Sequence, residues 1–297
     1  MAAKPKLGIA LGSGSARGWS HIGVLRALAE AGVEPDIVCG CSIGAFVGAA
    51  YVNGDLEKLE HWVAALDWKG VLGLFDVSLK GGLIKGDKLI EFFSRNFVDH
   101  DFSALPKPFA CVATDLETGR EIWLKEGSVA AAVRASIALP GLFTPQQRDG
   151  RLLVDGALVN PVPVSLCRAL GADIVIAVDL GSDRAGHLRR NDSGALPSDN
   201  WRSRLLQRFG RNGANGTNGA EQMLPSLVEV LVASVNIMQV RISRSRLAGE
   251  PADLALEPRL AQIGLMDYHR GVEAIGEGRA AVERMWPAIR HVLEIAE

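Results

Sequence analysis

The segment Ile37-Val38-Cys39-Gly40-Cys41-Ser42-Ile43-Gly44-Ala45-Phe46 constrains this chain more than any other. Its apolar start predicts a strand, and the small residues after Ser42 predict a helix. Between them lies G-x-S-x-G. A serine at so tight a strand-to-helix turn is pushed out of the packed layers, and its hydroxyl is exposed at the edge of the sheet. Gly40 and Gly44 flank it where a Cβ would crowd the turn or the neighbouring backbone. The following helix turns the partial positive charge of its N-terminus toward the same point. Ser42 is therefore the first candidate for chemistry.

The residues on either side repeat the alternation. Leu7 to Leu11 reads as a buried strand, and Gly12 to Gly18 as a loop. A helix follows to about Ala31, with Ile22, Leu25, Leu28 and Ala29 on one face and Gly32 as its stop. Asp36 to Cys39 is a second strand. The helix after Ser42 ends near Asn53-Gly54, and Asp55 is placed to cap another. Strands alternating with helices predict a mainly parallel central sheet covered on both faces, a three-layer α/β/α sandwich.

Further on, residues 67–85 read as Gly-rich and irregular, and Asp87 to Phe97 as a helix. Phe109 to Thr114 and Glu121 to Leu124 read as strands, and Ser128 to Ala138 as a helix stopped by Pro140-Gly141. Asp149-Gly150 is a hairpin turn leading into Arg151 to Val154. A helix after Pro163 and a strand from Ile174 to Val178 complete a core of about residues 5–180. Residues 181–221 are rich in Gly, Asn, Ser and Arg and read as a mobile insertion. Residues 222–297 read as a C-terminal helical part, with Leu224, Leu227, Leu231, Val235 and Met238 along one helix face. The whole chain, 1–297, is expected to form a single domain.

Composition narrows the partners. A net charge of −2 supplies no field to draw the chain to nucleic acid. Cys39, Cys41, Cys111 and Cys167 lack C-x-x-C spacing, which argues for buried free thiols and against a metal site. Lys4 and Lys6 precede only five apolar-compatible residues, too few for a signal-peptide core of about 7–15. The longest apolar candidate, Leu224 to Val240, is interrupted by Pro225, Glu229 and Asn236. A cytoplasmic protein is expected. Within the insertion, Trp201, Leu205 and Phe209 recur at helical spacing among Arg202, Arg204, Arg208 and Arg211. That basic amphipathic pattern suits peripheral contact with an anionic membrane, and equally a surface helix packed on the domain. The apolar helices after residue 222 leave pairing into a homodimer open.

A serine hydroxyl needs a base within hydrogen-bond reach and a cradle for the oxyanion it creates. The cradle candidate is the loop Gly12-Ser13-Gly14-Ser15-Ala16-Arg17-Gly18, with uncovered N–H groups near a helix start and a cationic Arg17. In a parallel sheet the turns after the first two strands open at the same edge, so loop and elbow can meet. The loop alone would also suit a dinucleotide phosphate. Its spacing is G-x-G-x-x-x-G, however, and Cys39 stands where an acidic residue is expected. For the base, a histidine late in the chain would complete a triad, and His187, His269 and His291 are available. None sits at a strand end. Asp155 does, after Arg151 to Val154 and before two small residues that admit a close approach. His21 reads as a structural histidine near the loop.

Taken in order, Gly12 to Gly18, Gly40 to Gly44 and Asp155-Gly156-Ala157 resemble the patatin-like phospholipases, most of all the small bacterial members. The resemblance spans about residues 7–180 and includes Asn160-Pro161-Val162-Pro163 and Val178-Asp179-Leu180. It implies a lipid acyl hydrolase acting on an acyl-ester substrate without metal or cofactor, through a Ser42–Asp155 dyad. It also implies that amides at Gly14, Ser15 and Ala16, with Arg17 beside them, form the oxyanion hole. Two alternatives stay open: a regulatory or lipid-binding protein of the same fold with little turnover, and a hydrolase with a true triad. The family loop is often a run of glycines. Ser13 and Ser15 interrupt it here, and serine is strained wherever φ must be positive.

Overall fold

The computed structural model describes residues 4–74, 86–98, 100–181 and 227–295. Trp201, Leu205, Phe209 and their arginines, the Gly-Asn run and His187 lie outside the described residues. The strands are β1 (Leu7–Leu11), β2 (Ile37–Cys41), β3 (Phe109–Asp115), β4 (Glu121–Leu124), β5 (Gln146–Arg148), β6 (Arg151–Asp155), β7 (Ile174–Val178) and β8 (Leu254–Leu256). The helices are α1 (Ser20–Glu30), α2 (Ile43–Val52), α3 (Leu56–Ala64), α4 (Trp68–Leu74), α5 (Asp87–Asn96), α6 (Val129–Ser136), α7 (Val164–Ala169), α8 (Leu227–Gly249) and α9 (Gly271–Val292).

Strand pairing follows the alternation of the chain. β1 lies between β2 and β7, with β3 beyond β2 and β8 beyond β7, all parallel. Successive side chains then fall on opposite faces. Leu7, Ile9 and Leu11 join Val38, Ile176 and Val178 in one core, completed by Ile22 and Leu25 of α1, Phe46 of α2 and Ile275 of α9. Ala10, Ile37, Cys39, Val175 and Ala177 face the other way, onto Leu166 and Cys167 of α7. Burial on both faces is why these strands read as unbroken apolar runs. The result is the expected three-layer sandwich.

An antiparallel patch at one end positions the site. β3 pairs with β2 through residues 109–112, with β4 through 111–114 and with β6 through 113–115. β4 overlaps both of the other stretches, and a strand has only two edges. β2 and β6 therefore share the edge opposite β4 and meet end to end. Cys41 stands across from Val112, and Asp155 across from the next residue, Ala113. The β5–β6 hairpin turns at Asp149 and Gly150, whose φ values of 50° and 75° suit the tight turn that this pair favours.

Three expectations need correction. Residues 68–74 are helical rather than irregular. Asp55 stands before α3, but its carboxylate accepts from Asn53 Nδ2 and makes no side-chain cap. The stripe on α8 is split: Val235 is buried, whereas Leu231 and Met238 are exposed. β8 was not anticipated, because three residues carry too little periodicity to register.

α9 lies across α1 at a crossing that only glycine permits. A Cβ at Gly23 would fall 1.9 Å from the Ile275 carbonyl oxygen, and one at Gly278 would fall 2.0 Å from that of Ser20. Gly23→Ala is expected to lower unfolding free energy by about 1–3 kcal/mol, the usual cost of forcing atoms into a packed interface. Urea denaturation measures it; an unchanged midpoint would mean that the helices do not meet here.

Candidate active site

Ser42 occupies the apex between β2 and α2 with φ 55° and ψ −121°. That region is sparsely populated for a residue bearing a side chain and costs on the order of 1–3 kcal/mol. Close packing enforces it. A Cβ on Gly44 would lie 2.1 Å from the Leu11 carbonyl oxygen, so the first turn of α2 sits directly on the end of β1. A Cβ on Gly40 would lie 2.4 Å from the Gly44 carbonyl oxygen, as the crowding argument expects. The Ser42 N–H donates to Ser136 Oγ at 2.9 Å, and Ser136 in turn donates to the Val112 carbonyl at 2.7 Å. Ser136 thus ties the apex to β3.

The Ser42 hydroxyl donates to Asp155 Oδ2 at 2.6 Å across 113 residues of sequence. Asp155 is held on every side. Its Oδ1 accepts the Ala157 N–H at 2.8 Å, its N–H donates to the Ala138 carbonyl, and its carbonyl accepts from Thr114 Oγ1. Gly156 lets this corner press on β3, since a Cβ there would meet the Val112 carbonyl oxygen at 2.2 Å. Burial pushes the Asp155 carboxyl up to about 6, against the pull of the Ser42 hydroxyl and the Ala157 amide. A carboxylate near 6 is a far better proton acceptor than one at the ordinary value of about 3.9.

The loop after β1 meets the elbow where the parallel sheet opens. Gly14 and Ser15 line the same cleft as Ser42 and Asp155. The Ser13 N–H donates to the Pro161 carbonyl, that of Ala16 to Leu265, and that of Arg17 to Gly14. Among the described residues, no such bond takes the N–H groups of Gly14 and Ser15. Of the residues expected at the oxyanion hole, the Ala16 amide and the Arg17 N–H are thus engaged elsewhere, and those of Gly14 and Ser15 are not. Arg17 is buried with its Nε donating to the Ile263 carbonyl, and it does not line the cleft. Ser15 has φ +54°, the strained position anticipated for an interrupting serine; Ser13 is not strained. His21 Nε2 donates to the Gly12 carbonyl at 2.7 Å, and burial depresses its pKa to about 4, so the ring stays neutral.

The cleft is mostly apolar, with Phe46, Trp62, Leu89, Leu142 and Phe143 among its walls. Neither His269, stacked on Trp68, nor the exposed His291 reaches it. The four cysteines are free and buried. Burial pushes the thiol of Cys41, next to the apex, well up. Two residues here were not singled out from sequence: Ser136, on an ordinary Ala-rich helix, and Tyr268, whose hydroxyl lies 2.6 Å from Ser15 Oγ. No local pattern marks either one.

The fold and this arrangement of elbow, glycine loop and D-G-A corner define a patatin-type protein. The chain belongs to the patatin-like phospholipase family, whose model matches residues 9–168. It is similar to an uncharacterized NTE family protein of Mycobacterium tuberculosis, 33% identical over 93% of this chain and 90% of the relative. It is also 37% identical to the mouse (Mus musculus) patatin-like phospholipase domain-containing protein 6, over 59% of this chain and 14% of that much longer protein. Among solved structures, VipD from Legionella pneumophila aligns over 99% of this chain and 81% of its own, with a TM-score of 0.49 and 15% identity. Family membership supports lipid hydrolysis. Among the described residues, no helix is long and apolar enough to cross a membrane.

The strain at Ser42 gives a stability test. Ser42→Gly and Ser42→Ala both remove the hydroxyl, but only glycine accepts the apex geometry freely. After the extra chain entropy of glycine is subtracted, the Gly variant is expected to be about 1 kcal/mol more stable than the Ala variant. Urea unfolding of the pair measures this, and the reverse order would show the apex to be unstrained.

Proposed function

We propose that this chain hydrolyses carboxylic esters of lipids through a Ser42–Asp155 dyad, and the observation that carries the reading is the 2.6 Å hydrogen bond between them. Ser42 Oγ attacks the ester carbonyl carbon as its proton passes to Asp155 Oδ2. The carbonyl oxygen becomes an oxyanion beside the Gly14 and Ser15 N–H groups and the N-terminus of α2. Collapse of this intermediate breaks the ester C–O bond, and Asp155 gives its proton to the departing alkoxide. Ser42 then carries the acyl group. Asp155 next takes a proton from water, the hydroxide attacks the acyl carbon, and the freed Ser42 recovers the proton as the carboxylic acid leaves. The apolar walls suit the acyl chain, since burying each methylene contributes about 0.8 kcal/mol.

The dyad predicts a definite pH dependence. Asp155 must be ionised to accept the proton, and burial holds its carboxyl at about 6. Turnover is therefore expected to climb from about pH 5 and level off above about pH 7, one ascending limb with its midpoint near that pKa. Ser42→Ala and Asp155→Asn are each expected to cut kcat on a chromogenic acyl ester about 10³-fold or more. His269→Ala and His291→Ala are expected to leave it unchanged. A rate that is flat from pH 5 to 8, or that survives in Asp155→Asn, would remove the carboxylate from the mechanism.

The same shift sets a stability trend. The folded pKa lies above the unfolded value of 3.8, so the carboxyl favours the folded state most when protonated. That contribution is complete below the unfolded pKa and is lost as pH rises through about 6. Asp155→Asn, neutral throughout, is accordingly expected to gain stability relative to the parent chain between pH 5 and pH 8. Denaturation at the two pH values reads the difference, and a constant gap would contradict it.

A further inference from the structure

The loop that carries the Gly14 and Ser15 amides is tied down from about 250 residues away. Ile263 O accepts from Arg17 Nε at 2.9 Å, and Leu265 O accepts the Ala16 N–H at 3.1 Å. Tyr268 O accepts from Trp19 Nε1 at 3.2 Å, and the Tyr268 hydroxyl shares a 2.6 Å hydrogen bond with Ser15 Oγ. All four contacts come from residues 263–268, beyond the 9–168 stretch that the family model matches. Three of them reach Ala16, Arg17 and Trp19, none of which has a positive φ. The fourth reaches Ser15, which sits at φ +54°. A glycine would hold that angle without steric cost, whereas a serine needs something to keep it there. The Tyr268 ring is itself fixed edge-on against Trp19, with centroids 6.0 Å apart. Its phenol is pushed up to about 12 by burial, with Asp155 adding to the rise, so the hydroxyl stays protonated at any working pH.

We propose, on the basis of the dyad reading above, that Tyr268 is a positioning residue which, through Ser15 Oγ, holds the loop in the left-handed conformation that keeps the Gly14 and Ser15 N–H groups free for the oxyanion. It replaces by a long-range tether what a glycine at position 15 would supply by conformational freedom. Such a tether acts on the transition state rather than on substrate binding, because the oxyanion forms only during reaction.

A double-mutant cycle in the full chain tests it. Tyr268→Phe is expected to lower kcat about 10–100-fold, less than loss of a whole donor, with KM moving less than about threefold. Ser15→Gly removes both the hydroxyl and the steric demand. In that background Tyr268→Phe is expected to change kcat by less than about twofold. An undiminished kcat in Tyr268→Phe, or the same loss in both backgrounds, overturns the tether, as does a change confined to KM. Ser42→Ala, assayed alongside, separates the two readings. Full turnover there overturns the dyad, and the tether with it. Silence there together with an unaffected Tyr268→Phe overturns the tether alone.

Discussion

The end-to-end meeting of two strands on one edge of β3 is the constraint on which the site depends. β2 arrives parallel and stops at Cys41, opposite Val112; β6 arrives antiparallel and stops at Asp155, opposite Ala113. Neither strand can extend without displacing the other. Each must turn away, and the residues at the two turns become neighbours. The hydroxyl–carboxylate contact is thus a consequence of backbone hydrogen bonding, and side-chain adjustment only completes it. Ser136 adds a tie, joining the Ser42 amide to the Val112 carbonyl at the same junction.

That junction is costly to build, and the surrounding packing offsets the cost. Ser42 holds a strained backbone, Asp155 is a buried acid, and Ser15 stands at a positive φ. Small residues near Ser42 and Asp155 let the main chain close in: Gly44 against the Leu11 carbonyl and Gly156 against the Val112 carbonyl. Proteins tolerate such local conflict where the rest of the fold over-determines the geometry, and functional sites are where it collects. The parallel sheet, buried on both faces, supplies that excess here.

The parts legible in the sequence share a physical cause. G-x-S-x-G, the glycine loop and D-G-A were readable because each forces a backbone close approach that only small residues allow. The first strands were readable because burial on both faces leaves unbroken apolar runs. What escaped notice depends on distance along the chain. Tyr268 looks like any tyrosine before a helix, and its partner Ser15 lies 253 residues earlier. The engagement of the Ala16 amide by the Leu265 carbonyl could not be anticipated either, because a backbone group carries no sequence signature. α4 was missed because Gly70 and Gly73 depress helix propensity, whereas Trp68 and Val71 find tertiary contacts with His269 and the core.

The proposed chemistry needs one hydroxyl, one carboxylate and two open amides to converge on a single carbonyl group. A crystal structure of the chain after reaction with an alkyl fluorophosphonate would test this most directly, since the adduct imitates the tetrahedral intermediate. The expected result is phosphorus bonded to Ser42 Oγ, Asp155 still within hydrogen-bond reach, and the phosphoryl oxygen accepting from the Gly14 and Ser15 N–H groups. Phosphorus on another residue, or a phosphoryl oxygen turned away from that loop, would contradict it.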